Sequence, residues 1–142
     1  MNPNPCYCGQ SKPYSECCGV YHSGKTWPTS PELLMRARYA AYAAHQVDFI
    51  EKTNDPTSKD QFDKAAAEAW SKKSLWKGLE IVAAQGDQVE FKAHFEVEGK
   101  AHTHHEVSRF SQIQGRWYYS EGREILEPIR RAEPKLGRND PY

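Results

Sequence analysis

The sequence predicts an α+β protein with a small metal-binding knuckle at its amino end. Three observations carry that prediction. All four cysteines of the 142-residue chain crowd into residues 6 to 18. Apolar residues then recur at helical spacing, and from Leu75 onward the period drops to two. Helices followed by a run of strands imply helices layered on one face of a curved antiparallel sheet, here three helices on about four strands. The chain divides into a zinc module over 1–28, an α+β domain over 29–132 and a tail over 133–142.

The cysteine run reads Cys6-Tyr-Cys8-Gly9-Gln-Ser-Lys-Pro13-Tyr-Ser-Glu-Cys17-Cys18. Tetrahedral Zn²⁺ takes four soft ligands at about 2.3 Å, and two tight pairs of thiols supply them. Pro5 stiffens the approach to Cys6, and Gly9 lets the backbone turn sharply after Cys8. Cys17 and Cys18 would point to opposite faces of a strand, but on a helical turn they are only about 100° apart. Pro13 suits a first helical turn and Gly19 the position past a helix end, so a short helix is expected over Pro13 to Cys18.

The alternative is a pair of disulfides, for which four cysteines allow about three connectivities. The start Met-Asn-Pro-Asn-Pro has neither the basic stretch nor the apolar stretch of a secretory signal, and no apolar run approaches the roughly 18 residues that cross a bilayer. A cytoplasmic location without membrane attachment is therefore expected, where thiols stay reduced. The predicted cofactor is one structural Zn²⁺ held by Cys6, Cys8, Cys17 and Cys18, with His22 a candidate replacement for Cys18. A closed four-thiolate site keeps no position for water, so its role is to fold a segment too short to bury a core.

Nineteen Lys plus Arg balance nineteen Asp plus Glu. No long-range field draws the chain to nucleic acid, which leaves only a local basic surface for such contact.

Ser30-Pro31-Glu32 supplies a capping hydroxyl, a proline at the first helical position and an acid in the first turn. Leu33, Leu34, Ala37, Ala40, Ala41 and Ala44 then mark a core-facing stripe. Arg36, Arg38, Tyr39 and Tyr42 fall on other faces, where they either pair at the surface or reach a ligand. A second short helix is expected from Val47 to about Asn54, and a third from Lys59 to Lys72. Strands follow over Trp76–Ala84, Val89–Val97, His102–Ile113 and Arg116–Ser120, separated by turns at Gly86, Gly99 and Gly115. In the second strand Val89, Phe91, Ala93, Phe95 and Val97 share the buried face.

The third strand holds His102, His104, His105, Glu106 and Arg109. With Val107 taken as the mark of the inner side, His105 and Arg109 face the interior near Phe91 and Phe95, where they could seat an anion or act as a general base. Glu106 beside them and Arg36 on the first helix complete the pocket candidates. The competing reading pairs Arg109 with Glu90 or another carboxylate and leaves His105 structural. A one-residue slip of register would exchange the two faces.

Pro5-Cys6-x-Cys8-Gly9 with Cys17-Cys18-Gly19 resembles the SEC-C zinc motif, named for the carboxyl end of the SecA translocation ATPase. The likeness continues through Leu34-Met35-Arg36-Ala37-Arg38-Tyr39-Ala40-Ala41-Tyr42, Trp76-Lys77-Gly78-Leu79, His105-Glu106-Val107-Ser108-Arg109-Phe110, Gly115-Arg116-Trp117-Tyr118-Tyr119 and Gly137-Arg138-Asn139-Asp140-Pro141. Together these runs are similar to the YchJ-like family of uncharacterised bacterial proteins. The resemblance implies a cystatin-like cone, the fold of nuclear transport factor 2, and no established activity. Family members commonly carry a second SEC-C motif after the Gly-Arg-Asn-Asp-Pro run. This sequence stops at Tyr142, where the first cysteine of that motif would stand, so a second zinc site is not expected.

The sequence lacks a phosphate-cradling glycine loop, a Gly-x-Ser-x-Gly elbow and a His-Glu-x-x-His helix. The expected function is that of a zinc-stabilised interaction protein whose knuckle presents Tyr7, Lys12, Tyr14 and Lys25 to a protein or ribosome-like partner. The alternative is a small-molecule binder or enzyme that uses His105 and Arg109 in the cone. An exposed outer sheet face also makes a homodimer an expectation.

Overall fold

The computed structural model describes residues 5–58 and 62–126. The predicted tail over 133–142 lies outside them.

An antiparallel bridge joins Pro5 to Pro13, and the Cys6 N–H donates to the Lys12 carbonyl at 2.9 Å. The tight hairpin this closes needs Gly9 at φ +96°, a conformation that side chains disfavour. A 3-10 turn over Tyr14–Glu16 follows, then helix α1 over Cys18–His22. The expected single helix from Pro13 to Cys18 is thus two pieces, broken at Cys17, whose backbone lies at φ −125° and ψ −110°. Gly19 sits inside α1 rather than past a helix end. Its glycine is required by close approach, because a Cβ there would stand 2.7 Å from the Tyr14 carbonyl oxygen.

Helix α2 spans Pro31–Ala43, and its Ser30 cap accepts the Leu33 N–H at 3.1 Å. It is the central buried helix, with Leu34, Ala37, Ala40 and Ala41 wholly out of solvent. Helix α3 covers Val47–Lys52 and α4 covers Lys64–Lys73, the latter capped by the Asp63 carboxylate on Ala66 N–H. The third helix therefore starts later than the sequence suggests. Between α3 and α4, Asp55 N–H donates to the Tyr119 carbonyl and Tyr119 N–H to the Thr53 carbonyl, tying this stretch to the sheet.

Strands β1 (Leu75–Gln85), β2 (Gln88–Val97), β3 (Lys100–Ile113) and β4 (Arg116–Glu124) form one antiparallel meander in the order β1-β2-β3-β4. Register shifts at Trp76/Gly78 and Ile81/Ala83 in β1, and one opposite Arg109/Phe110 that leaves Ser120 of β4 unpaired, mark bulges of the kind that bend a strand. The curved sheet wraps α2, which packs against β1, β2 and β4.

Residues opposite one another in adjacent strands share a face. Val89, Phe91, Ala93 and Phe95 of β2 are buried, and they oppose Ser108, Glu106, His104 and His102 of β3. The inner face of β3 is therefore the even-numbered one. Val107 opposes Glu90 on the outside, so His105 and Arg109 lie on the outer face and not in the cone. The polar middle of β3 carries too little hydrophobic signal to orient itself, and the apolar side of β2 decides its direction.

Candidate functional site

The four thiols converge where the hairpin, the 3-10 turn and α1 meet. Their sulfurs all lie within 4.8 Å of one another, and every cysteine is at most 8% exposed. Cys8 Sγ and Cys17 Sγ are 3.7 Å apart, and none of the four is in a disulfide. A tetrahedral ion with metal–sulfur bonds of about 2.3 Å spaces its sulfurs about 3.8 Å apart, so the cluster fits such an ion. The break at Cys17 lets two adjacent residues turn their thiols toward one point.

Crowded thiols cannot all ionise without a cation beside them. The hydrogen bond from Cys18, outweighing burial, brings Cys8 down to about 5. Burial, followed by the hydrogen bond with Cys6, pushes Cys17 up to about 12. Cys18 is pushed up further, first by the bond it donates to Cys8 and then by burial. A bound dication would supply the missing positive charge and hold all four as thiolates.

His22 is engaged elsewhere. Its Nε2 donates to the Ala37 carbonyl at 2.8 Å, which leaves Nδ1 to accept the Tyr14 hydroxyl at 2.6 Å. The imidazole thus anchors the knuckle to α2, and burial lowers its pKa. Arg36 Nη1 donates to the Cys8 carbonyl at 3.0 Å, while its Nε pairs with Glu32 at 3.1 Å. The cysteines consequently belong to the same apolar cluster as Leu34, Ala37 and Phe49.

A cavity of about 360 Å³ lies between α2, α4 and the inner sheet face. Tyr42, Trp70, Trp76 and Phe91 form its aromatic walls. On its polar side the Glu106 carboxylate accepts from His104 Nε2 at 2.7 Å, from the Ser108 hydroxyl at 2.7 Å and from the Tyr119 hydroxyl at 2.9 Å. Burial opposes ionisation of Glu106, but these bonds, led by His104, outweigh it and lower its pKa. Burial raises the Tyr119 phenol, and the adjacent Glu106 charge adds to that. Gly122 faces the cluster closely enough that a Cβ would collide with the Glu106 carboxylate and the Tyr119 hydroxyl.

Arg38 lines the same cavity and is 6% exposed. Its Nη1 donates to the Ile50 carbonyl at 3.0 Å and to the Thr53 hydroxyl at 2.7 Å, and its guanidinium lies 4.4 Å over the Tyr119 ring.

Of the predicted pocket residues, only Glu106 lines this cavity. Arg36 serves the knuckle seam. His105 Nε2 lies 2.7 Å from Glu90 Oε2, and Arg109 Nη1 lies 3.5 Å from Glu121 Oε2, both on the outer face. Sequence reasoning missed Tyr119, set Arg38 off the buried stripe as a residue that either pairs at the surface or reaches a ligand, and placed His104 on the wet face. For Arg38 a signal existed: it stands four residues after Leu34, on the stripe the helix buries.

Residues 30–122 match a family model described as YchJ, middle NTF2-like domain. The chain is 36% identical to a UPF0225 protein of Geobacter sulfurreducens, over 97% of this chain and 89% of that protein. It is 39% identical to a UPF0225 protein of Actinobacillus succinogenes, over 80% of this chain and 78% of that one. The solution structure of a SEC-C motif containing protein from Rhodopseudomonas palustris aligns at a TM-score of 0.77 and 40% identity, covering 87% of this chain and 100% of that one. The crystal structure of a SEC-C motif containing protein from Psychrobacter arcticus aligns at 0.73 and 30% identity, covering 89% and 85%. A cone-shaped α+β fold, a buried four-cysteine cluster able to hold a metal ion, and these similarities together place the chain in the YchJ-like family.

Proposed function

We propose that the protein is a cytoplasmic zinc protein whose closed four-thiolate centre is structural, and whose knuckle is a contact surface for a protein partner. The observation that carries this reading is the burial of four mutually adjacent sulfurs in the same apolar cluster as α2. A centre so enclosed suits folding rather than reaction. Zinc suits a closed structural centre because it is redox-inert and takes four thiolates tetrahedrally, although iron also accepts tetrahedral sulfur.

In the cysteine module Tyr7 is 49% exposed, and Lys12 and Lys25 are exposed as well. An exposed aromatic ring and two lysines on one small module suit a partner with an acidic, partly apolar face. Tyr14 is excluded from that surface, because its hydroxyl is turned inward to His22. The alternative built on His105 and Arg109 is not carried forward, since neither reaches the cavity.

Elemental mass spectrometry of protein purified under reducing conditions tests the metal. One zinc per chain is expected; iron, or no metal, overturns that part. Crosslinking in a bacterial lysate tests the surface, by comparing wild type with a Tyr7→Ala, Lys12→Glu, Lys25→Glu variant that still holds its metal. The variant is expected to lose the partner, and recovery of the same proteins by both overturns the contact role.

A further inference from the structure

Arg38 is a buried cation that no anion of the described residues touches; the Glu106 charge acts on it only through space. Both of its hydrogen bonds run from Nη1 to neutral oxygens, the Ile50 carbonyl and the Thr53 hydroxyl. No carboxylate of the described residues forms a salt bridge with it. Glu106, the most buried acid of the cavity lining, accepts its hydrogen bonds from His104, Ser108 and Tyr119 and none from Arg38. A buried charge with no anion in direct contact is costly, and a seat for one beside it lowers that cost. The cavity beside Arg38 is large enough for a small organic molecule and is walled by Tyr42, Trp70, Trp76 and Phe91.

We propose that this cavity is a binding site for a small monocarboxylate with a flat or compact apolar body, its carboxylate seated on Arg38 and its body against the aromatic wall that Trp70 and Trp76 form by packing edge to face. A guanidinium suits a carboxylate because it offers parallel donors in a planar fork. The aromatic walls take the apolar body by burial and ring stacking. Asp63 stands at the cavity lining as an exposed acid. Together with Glu106 it opposes the second negative charge of a phosphate ester, so the site selects single over double charge.

The site is tested on the full-length, metal-loaded protein by calorimetric titration and by tryptophan fluorescence, which Trp70 and Trp76 report directly. The probes are benzoate, 3-phenylpropionate and 4-methylpentanoate, with 3-phenylpropionamide as the uncharged control and phenyl phosphate as the dianion. Saturable binding of at least one monocarboxylate is expected, with the amide weaker by about tenfold or more, the loss that accompanies removal of a charge-assisted hydrogen bond, and the phosphate weaker than the carboxylates through repulsion by the lining acids. Arg38→Met is expected to weaken the carboxylate by a similar factor. Because Arg38 also ties α2 to α3, a second variant, Ala66→Trp, fills the cavity from an exposed position and leaves Arg38 in place. It is expected to abolish binding with an unchanged circular dichroism spectrum. The proposal is overturned if no monocarboxylate binds, if the amide binds as tightly as the acid, or if Ala66→Trp binds as well as wild type.

Discussion

Arg36 of α2 donates to the carbonyl oxygen of Cys8 at 3.0 Å, a bond between residues 28 apart in sequence that joins the helical layer to the backbone of the cysteine cluster. The same guanidinium is held by Glu32 one turn earlier. The knuckle is therefore locked onto the domain from outside the cysteine cluster.

Replacing Arg36 with Met should loosen that lock without touching a thiol. The lost charge-assisted bond is worth about 1–3 kcal/mol. The expected result is faster metal loss to a chelator, followed by the absorbance of a metallochromic dye, with the helical content of the loaded protein unchanged.

Metal removal should reach beyond the hairpin. Because the cysteines share a core cluster with Leu34, Ala37 and Phe49, stripping the ion uncouples α1 from α2. Hydrogen exchange of the chelated protein should show lost protection in residues 5–25 and in the face of α2 beneath them. Loss confined to the hairpin would show that the knuckle folds independently of the domain.

Asp55 should make stability depend on acid. Burial would raise its pKa, but hydrogen bonds led by Ser111 and Thr57, with Ser120, overcome this and hold it at about 2, below the ordinary 3.8. Its contribution is complete above the unfolded value and is lost as pH falls toward 2, a change of roughly 1–2 kcal/mol. The difference in unfolding free energy between wild type and Asp55→Asn, measured by urea titration, should shrink steadily from pH 4 to pH 2.

Gly122 should tolerate no side chain. A Cβ there would collide with the Glu106 carboxylate and the Tyr119 hydroxyl, so Gly122→Ala forces both to move. Overpacking and disturbance of a buried polar cluster should together cost about 2–4 kcal/mol, read as a lower urea midpoint. Gly99, which has open space around its Cβ position but φ +80°, is the comparison: its alanine variant should lose only the backbone preference, about 1 kcal/mol.

Arg109 should matter little. It and Glu121 are each more than half exposed, so Arg109→Ala should change stability by about 0.5 kcal/mol or less. It should also leave the cavity's ligand affinity unchanged, in contrast to Arg38→Met.

The four-cysteine cluster, the cap of α2 and the meander with its three glycine turns were legible in the residues alone. Each of these is written locally, in cysteine spacing, in Ser30-Pro31-Glu32, or in strict alternation such as Val89 to Phe95. Which side of β3 faces inward was fixed only when the strands paired. That strand is polar at nearly every central position, so its direction is imposed by pairing with β2: Phe91 draws Glu106 inward, and Val107 is turned out opposite Glu90. The same holds for Arg38 and Tyr119, which are brought together by packing α2 across β4. Local periodicity records which residues an element can bury, whereas a cavity is made where several elements meet, and no single stretch of chain encodes that meeting.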